Sequence, residues 1–189
     1  MYEVELKFPV ADPAEAERRL AALAARLGTP VEQVDRFFTH PCRDFARTDE
    51  ALRLRRTAAA VAITWKGPRI DPTTKTRREI ELPIVAAEEP QGSGAAIDRW
   101  TELLEALGFH RFREVAKRRR HGAVSWQGRD VQIAVDEVAG LGGFLELELQ
   151  AAEADVATAR GCLESLAGAL GCTATERRSY LELLLAREG

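Results

Sequence analysis

The stretch that decides the fold is the opening one, Tyr2-Glu3-Val4-Glu5-Leu6-Lys7-Phe8. Successive side chains of a strand point to opposite faces, so Glu3, Glu5 and Lys7 share one face while Val4, Leu6 and Phe8 share the other. The alternation returns along the chain. Arg53 and Arg55 alternate with Leu52 and Leu54, and Lys75, Arg77, Glu79 and Glu81 lie opposite Ile80 and Leu82. Lys117 and Arg119 share a parity, and Glu146 and Glu148 interleave with Leu145, Leu147 and Leu149. A strand with one face in water scatters charges of mixed sign over it. Here several stripes carry one sign only, which is costly between near neighbours unless a counter-ion sits between them. Replacing Arg55 or Arg119 by alanine is therefore expected to relieve like-charge crowding and stabilise the empty protein.

Outward from these stripes, period-two patterning predicts about eight strands, over residues 2–10, 34–39, 51–57, 61–66, 76–85, 113–121, 131–138 and 143–151. Helical signals separate them. Asp12-Pro13-Ala14-Glu15 starts a helix whose stripe Leu20, Leu23, Leu27 ends at Gly28; others are predicted over 95–107, 154–170 and 176–187. Gln127-Gly128-Arg129 reads as a hairpin turn, and residues 86–96 as a mobile loop. Eight antiparallel strands are enough to close a barrel, and helices outside it would cover outward apolar faces and leave the charges enclosed. The fold class expected is α+β, a closed or nearly closed eight-stranded antiparallel β-barrel with amphipathic helices packed outside, as one domain over 1–189.

Composition narrows the function. With 189 residues, 27 Lys and Arg against 30 Asp and Glu and a net charge of −3, the molecule as a whole is no electrostatic binder of nucleic acid or membranes. In the run Lys117-Arg118-Arg119-Arg120-His121 alternate members face opposite ways, so no nucleic-acid partner is expected. Cys42, Cys162 and Cys172 form an odd set without metal-ligand spacing, no stretch approaches a membrane span and the charged opening is unlike a signal peptide, so a cytoplasmic location is expected. His40, His110 and His121 share no motif. Trp65, Trp100 and Trp126 read as packing residues, with Trp65 also placed to stack on a base or thiamine ring at a tunnel mouth. Arg43 and Asp44 read as punctuation between strands.

Basic side chains from several walls suit an elongated polyanion, and carboxylates among them suit hard divalent cations such as Mg²⁺ or Mn²⁺. Together they describe a metal-bound polyphosphate. At this point the chain resembles the CYTH, or triphosphate tunnel metalloenzyme, family, which includes class IV adenylyl cyclases, thiamine triphosphatases and inorganic triphosphatases. Glu3-x-Glu5-x-Lys7 matches the family's ExExK motif. In order follow Thr48-Asp49-Glu50-Ala51-Leu52-Arg53-Leu54-Arg55, Thr64-Trp65-Lys66-Gly67-Pro68, Arg77-x-Glu79-x-Glu81, Lys117-x-Arg119, Val135-Asp136-Glu137 running on to Glu146, and Arg178-Ser179-Tyr180-Leu181-Glu182.

The resemblance implies metal ligation by Glu3, Glu5 and Glu146, with Glu148 as a further ligand. It implies triphosphate binding by Lys7, Arg53, Arg55, Lys66, Arg77, Lys117 and Arg119, and a tunnel lined by Glu79 and Glu81. Glu5, Lys66, Lys117, Arg119 and Asp136 form the candidate catalytic set. The activity implied is metal-dependent cleavage of a nucleotide, thiamine or inorganic triphosphate, as a triphosphatase or as an adenylate cyclase making cyclic AMP and pyrophosphate. A polyphosphate-binding module without turnover is the alternative. The partner is a small-molecule triphosphate, with no membrane, and a homodimer is the assembly considered.

Overall fold

In the computed structural model, which describes residues 2–70, 76–85 and 92–188, strand β1 (Tyr2–Val10) pairs antiparallel with β8 (Gly142–Ala151) along its whole length. The intervening strands are β2 (Arg26–Thr39), β3 (Ala51–Arg56), β4 (Val61–Arg69), β5 (Arg77–Val85), β6 (His110–Trp126) and β7 (Arg129–Val138). Their hydrogen-bonded order is β1-β5-β4-β3-β2-β6-β7-β8, so the β1–β8 ladder closes the ring. The helices are α1 (Pro13–Ala22), α2 (Phe45–Thr48), α3 (Gly92–Ala106), α4 (Val156–Ala169) and α5 (Tyr180–Glu188). Among the described residues no helix is long and apolar enough to cross a membrane.

The chain divides into two units. The first comprises Met1–Pro30, Ile70–Arg77 and Lys117–Gly189. Here the apolar parity of each strand packs on helices: Val4, Leu6 and Phe8 of β1, Ile133 and Val135 of β7, and Leu145, Leu147 and Leu149 of β8 join Leu20 of α1 and Leu163 and Leu166 of α4. Each fully buried leucine or valine contributes roughly 1.5–3 kcal/mol, so this face dominates the unit's stability. The second unit comprises Val31–Arg69 and Arg78–Ala116. Its core sets Phe38, Leu52, Leu54 and Val61 against Ala96, Ile97 and Leu104 of α3, with Trp65 and Trp100 packed beside them.

All eight expected strands are present, and the differences lie at ends. Helix α1 stops at Ala22 rather than running to Gly28, because Leu23 and Ala25 both donate to the Leu20 carbonyl and Ala24 takes a left-handed φ of 58°. The chain then enters β2 eight residues before the expected start. Gly122 of β6 permits this approach, since a methyl group there would lie 2.6 Å from the Arg26 carbonyl oxygen. α5 begins at Tyr180 rather than at residue 176, fixed by a capping box. Ser179 Oγ accepts from the Glu182 amide at 3.1 Å, and the Glu182 carboxylate accepts from the Ser179 amide at 2.6 Å. The residues from Gly92 onward are helical, correcting the loop expected over 86–96; its residues 86–91, and Lys75, lie outside the described residues. Asp44 caps the short α2 by accepting from the Ala46 and Arg47 amides.

The segment before α5 is fastened to β1. The Glu176 amide donates to the Lys7 carbonyl at 2.7 Å, and the Lys7 ammonium donates to the Arg178 carbonyl. Hydrogen bonds from the Arg178 guanidinium hold the Glu176 carboxyl down at about 2, against the opposing effect of burial. A depressed carboxyl stabilises the fold fully above its ordinary value of 4.5 and loses that contribution as pH falls toward 2. Between those limits the melting temperature of the wild type should therefore fall more steeply than that of Glu176→Gln; parallel curves in a pH series of thermal unfolding would refute the fastening. Gly122→Val should destabilise by about 1–3 kcal/mol in urea unfolding, through the clash with β2.

Candidate active site

In the first unit part of the charged parity is as deeply buried as the apolar one, while Glu3, Glu146 and Glu148 are half-buried. Lys7 is 1%, Lys117 4% and Asp136 0% exposed. Such groups persist only if paired and hydrogen-bonded, and the cross-strand register supplies the partners. Arg119 stands directly opposite Asp136 and forks onto it, Nε to Oδ1 at 2.7 Å and a terminal nitrogen to Oδ2. That nitrogen also reaches Glu146 of β8. Burial works against the charge on Arg119, but the Glu146 and Asp136 carboxylates prevail and hold its pKa well above the usual range.

Tyr180, the first residue of α5, donates its hydroxyl to Asp136 Oδ2 at 2.7 Å. Burial, reinforced by the Glu146 and Asp136 charges, pushes this phenol well above its ordinary value, so it stays a donor at any physiological pH. Lys117 Nζ lies 3.9 Å from the same carboxylate. The two lysines share the Tyr180 ring, Lys7 at 4.2 Å and Lys117 at 5.1 Å from its centroid, and Phe144 packs against that ring with centroids 5.0 Å apart. Two cations of like sign thus draw on one aromatic ring.

At the β1–β8 ladder the carboxylates accumulate. Glu5 is directly opposite Glu148 and Lys7 is opposite Glu146, while Glu3 faces Arg77 across β1 and β5. Directly opposed carboxylates repel. A hard divalent cation removes that cost, and a Mg²⁺ or Mn²⁺ site needs only one or two carboxylates, with water and phosphate filling its other positions. Among the described residues no group of three or more acidic, histidine or cysteine side chains is gathered at ligand spacing. The opposed carboxylates of Glu5 and Glu148 are the donor type such a partly hydrated ion takes, and it needs no more than one or two of them.

The second unit has its own cluster, centred on a residue absent from the sequence expectations, Asp35. It is 2% exposed and accepts a fork from Arg55, Nε at 2.6 Å and a terminal nitrogen at 2.8 Å, with Arg53 at 3.4 Å. Lys66 pairs with Glu79 at 2.6 Å, and Thr64 donates to Glu81 at 2.8 Å. Arg53 lies 3.8 Å from both Glu79 and Glu81. Burial pushes the Arg53 guanidinium down and neighbouring Arg55 adds to that, while Asp35, Glu79 and Glu81 oppose it.

The structure thus gathers Lys7, Lys117, Arg119, Asp136 and Glu146 in one unit, with Glu3, Glu5, Arg77 and Glu148 along its β1 ladders. It gathers Arg53, Arg55, Lys66, Glu79 and Glu81 in the other. The expectation that removing a base would stabilise the empty protein is corrected. Arg55 and Arg119 each neutralise a buried carboxylate, and loss of either leaves that charge uncompensated. Trp65 packs as expected: its indole joins the apolar core and donates to Glu50 at 3.1 Å. Asp35 and Tyr180 escaped the sequence reading. Both act through partners on other elements, and no spacing within their own segments signals that.

The chain matches the CYTH domain family over residues 1–180. A Methanocaldococcus jannaschii protein named as a candidate adenylate cyclase is 34% identical over 148 residues, covering 78% of this chain and 77% of that one. Among solved structures, the PH1819 protein of Pyrococcus horikoshii superposes with a TM-score of 0.83 at 39% identity, over 98% of this chain and 99% of the other. A Hippeastrum protein described as having a dominant triphosphatase activity shares the fold at a TM-score of 0.63 and 19% identity, over 100% of this chain and 95% of its own. By its motifs, its ring of strands and this match across nearly its whole length, the chain belongs to the CYTH family.

Proposed function

We propose that this protein is a divalent-metal-dependent enzyme that binds a triphosphate through the buried bases of its strands and cleaves a phosphoanhydride bond, with ATP converted to cyclic AMP and pyrophosphate as the leading reaction. The observation that carries this reading is the pairing of buried bases with carboxylates, Arg119 with Asp136 and Glu146, and Arg55 with Asp35. Each guanidinium plane is held by its carboxylate partners, which orients a forked donor of the kind that recognises phosphate oxygens. The relative named as a candidate adenylate cyclase supports the cyclising form; hydrolysis of the same bond is the other outcome of the assay below.

Phosphoryl and nucleotidyl transfer require positioning and charge neutralisation more than a covalent nucleophile. The bases proposed to bind and orient phosphate oxygens are Lys7, Lys117 and Arg119 in the first unit and Arg53, Arg55 and Lys66 in the second. Glu3, Glu5 and Glu146, with Glu148, would hold the metal, which when bound neutralises charge developing on the phosphates. Asp136, gripped by Arg119 and Tyr180, keeps Arg119 in place and is a positioning residue. In the cyclising reaction the ribose 3′ oxygen bonds to the α-phosphorus, the bond from that phosphorus to the α–β bridging oxygen breaks, pyrophosphate leaves with the electron pair, and the hydroxyl proton passes to water.

Purified protein given Mg²⁺ or Mn²⁺ with ATP, thiamine triphosphate or tripolyphosphate should yield cyclic AMP and pyrophosphate from ATP, and chelator should abolish turnover. No turnover of any triphosphate would overturn the reading. Glu5→Gln keeps size and polarity but deletes a charge, so the metal-dependent rate should fall by roughly 100-fold or more, whereas tripolyphosphate binding in chelator should persist or tighten. Equal rates at limiting Mg²⁺ would remove Glu5 from the metal site. Arg55→Ala and Arg119→Ala should each weaken triphosphate binding and destabilise the empty protein by about 3 kcal/mol, the cost of stranding a buried carboxylate. Calorimetry and chemical denaturation together check both halves.

A further inference from the structure

We propose that Gln33 reads the base of the triphosphate, accepting a hydrogen bond from an exocyclic ring amino group and so selecting adenine nucleotides; this rests on the triphosphate reading above. Gln33 lies on β2 two residues before Asp35, and by strand parity on the same charged face. It is 5% exposed, yet its Oε1 is covered and, among the described residues, has no hydrogen-bond partner. An unpaired buried acceptor is a standing cost to the fold. Asp35 is itself an acceptor and cannot relieve it, and the Arg55 fork is directed at Asp35.

The chemistry of the missing partner follows from what the amide oxygen is. Phosphate oxygens are themselves acceptors and cannot satisfy it, so the complement is a donor borne by the part of the ligand beyond the phosphates. A glutamine amide presents an acceptor and donors side by side, the pattern that matches the amino group and adjacent ring nitrogen of adenine. Position agrees. Arg55 stands opposite Asp35 and Arg53 opposite Phe37, the next two positions of this face, so the bases extend roughly 7–13 Å along the strand from Gln33. A nucleotide laid along that line meets Gln33 with its ring and the arginines with its phosphates. Ala62, opposite Arg55 on β4, keeps the side chain small beside that path.

The test is calorimetric binding of ATP, inosine triphosphate and tripolyphosphate, in chelator, to the wild type, Gln33→Leu and the near-isosteric Gln33→Met. Inosine triphosphate carries an oxo group where ATP has the amino group. The wild type should prefer ATP over inosine triphosphate by ten-fold or more. Both variants should lose ATP affinity by a similar factor, erase that preference, and bind tripolyphosphate within two-fold of the wild type. Their ligand-free melting temperatures should stay level or rise, because an unpaired polar atom has been removed. Equal binding of ATP and inosine triphosphate by the wild type would overturn the proposal, as would parallel weakening of all three ligands with a lowered melting temperature. Failure of the wild type to bind tripolyphosphate would instead overturn the triphosphate reading, and the base-reading role with it.

Discussion

Closure of the strand ring by the β1–β8 ladder is the constraint on which the rest of the structure depends. A closed ring has no unpaired edge, so every strand is committed to a fixed register and every residue to one face. Because the apolar parity is taken by helices, the other parity cannot also be apolar without leaving no place for a polar ligand. The chain answers by burying charges, and the register then dictates which charges must be reciprocal. Arg119 is opposite Asp136 and Asp35 opposite Arg55 because the ladders put them there.

These pairs are a poor way to gain stability. Taking two charges out of water costs several kcal/mol per ion, and their mutual attraction returns that only with good geometry. Forked arginine contacts meet the condition. The fold is held by the two apolar cores around α4 and α3, which leave the charged parity free to be arranged for binding rather than for stability.

The alternation that revealed the strands was legible because a charged stripe and an apolar stripe of opposite parity leave little doubt about period. It worked for β1, β3 and β8, where every second residue is leucine, valine or phenylalanine. It was weaker on β2, where Phe37 and Phe38 fall on opposite faces and Arg36 turns outward to pair with Glu114 and Asp98 at 2.7 and 3.0 Å. Asp35 was lost in that ambiguity. Helix ends were misread for a different reason. Leu27 continues the helical spacing of Leu20 and Leu23, but a local left-handed residue at Ala24 outweighs a single well-spaced leucine. At the other end, the Ser179-x-x-Glu182 box overrode the helix-favouring residues before it.

Site chemistry was legible to the extent that it is written in residue types, and illegible where it depends on which element arrives from far along the chain. Glu146 is 27 residues from Arg119, and Tyr180 is 44 from Asp136. Nothing local to Tyr180 distinguishes it from the leucines that follow it on α5. Its role comes from entering at the helix's first position, where Ser179 and Glu182 fix the direction of the chain and the Glu176 amide is already tied to β1. The aromatic ring then lies against Lys7 and Lys117 while its hydroxyl reaches Asp136. One side chain thereby touches two cations and an anion of the cluster, and the Ser179–Glu182 cap that starts α5 sets where it stands.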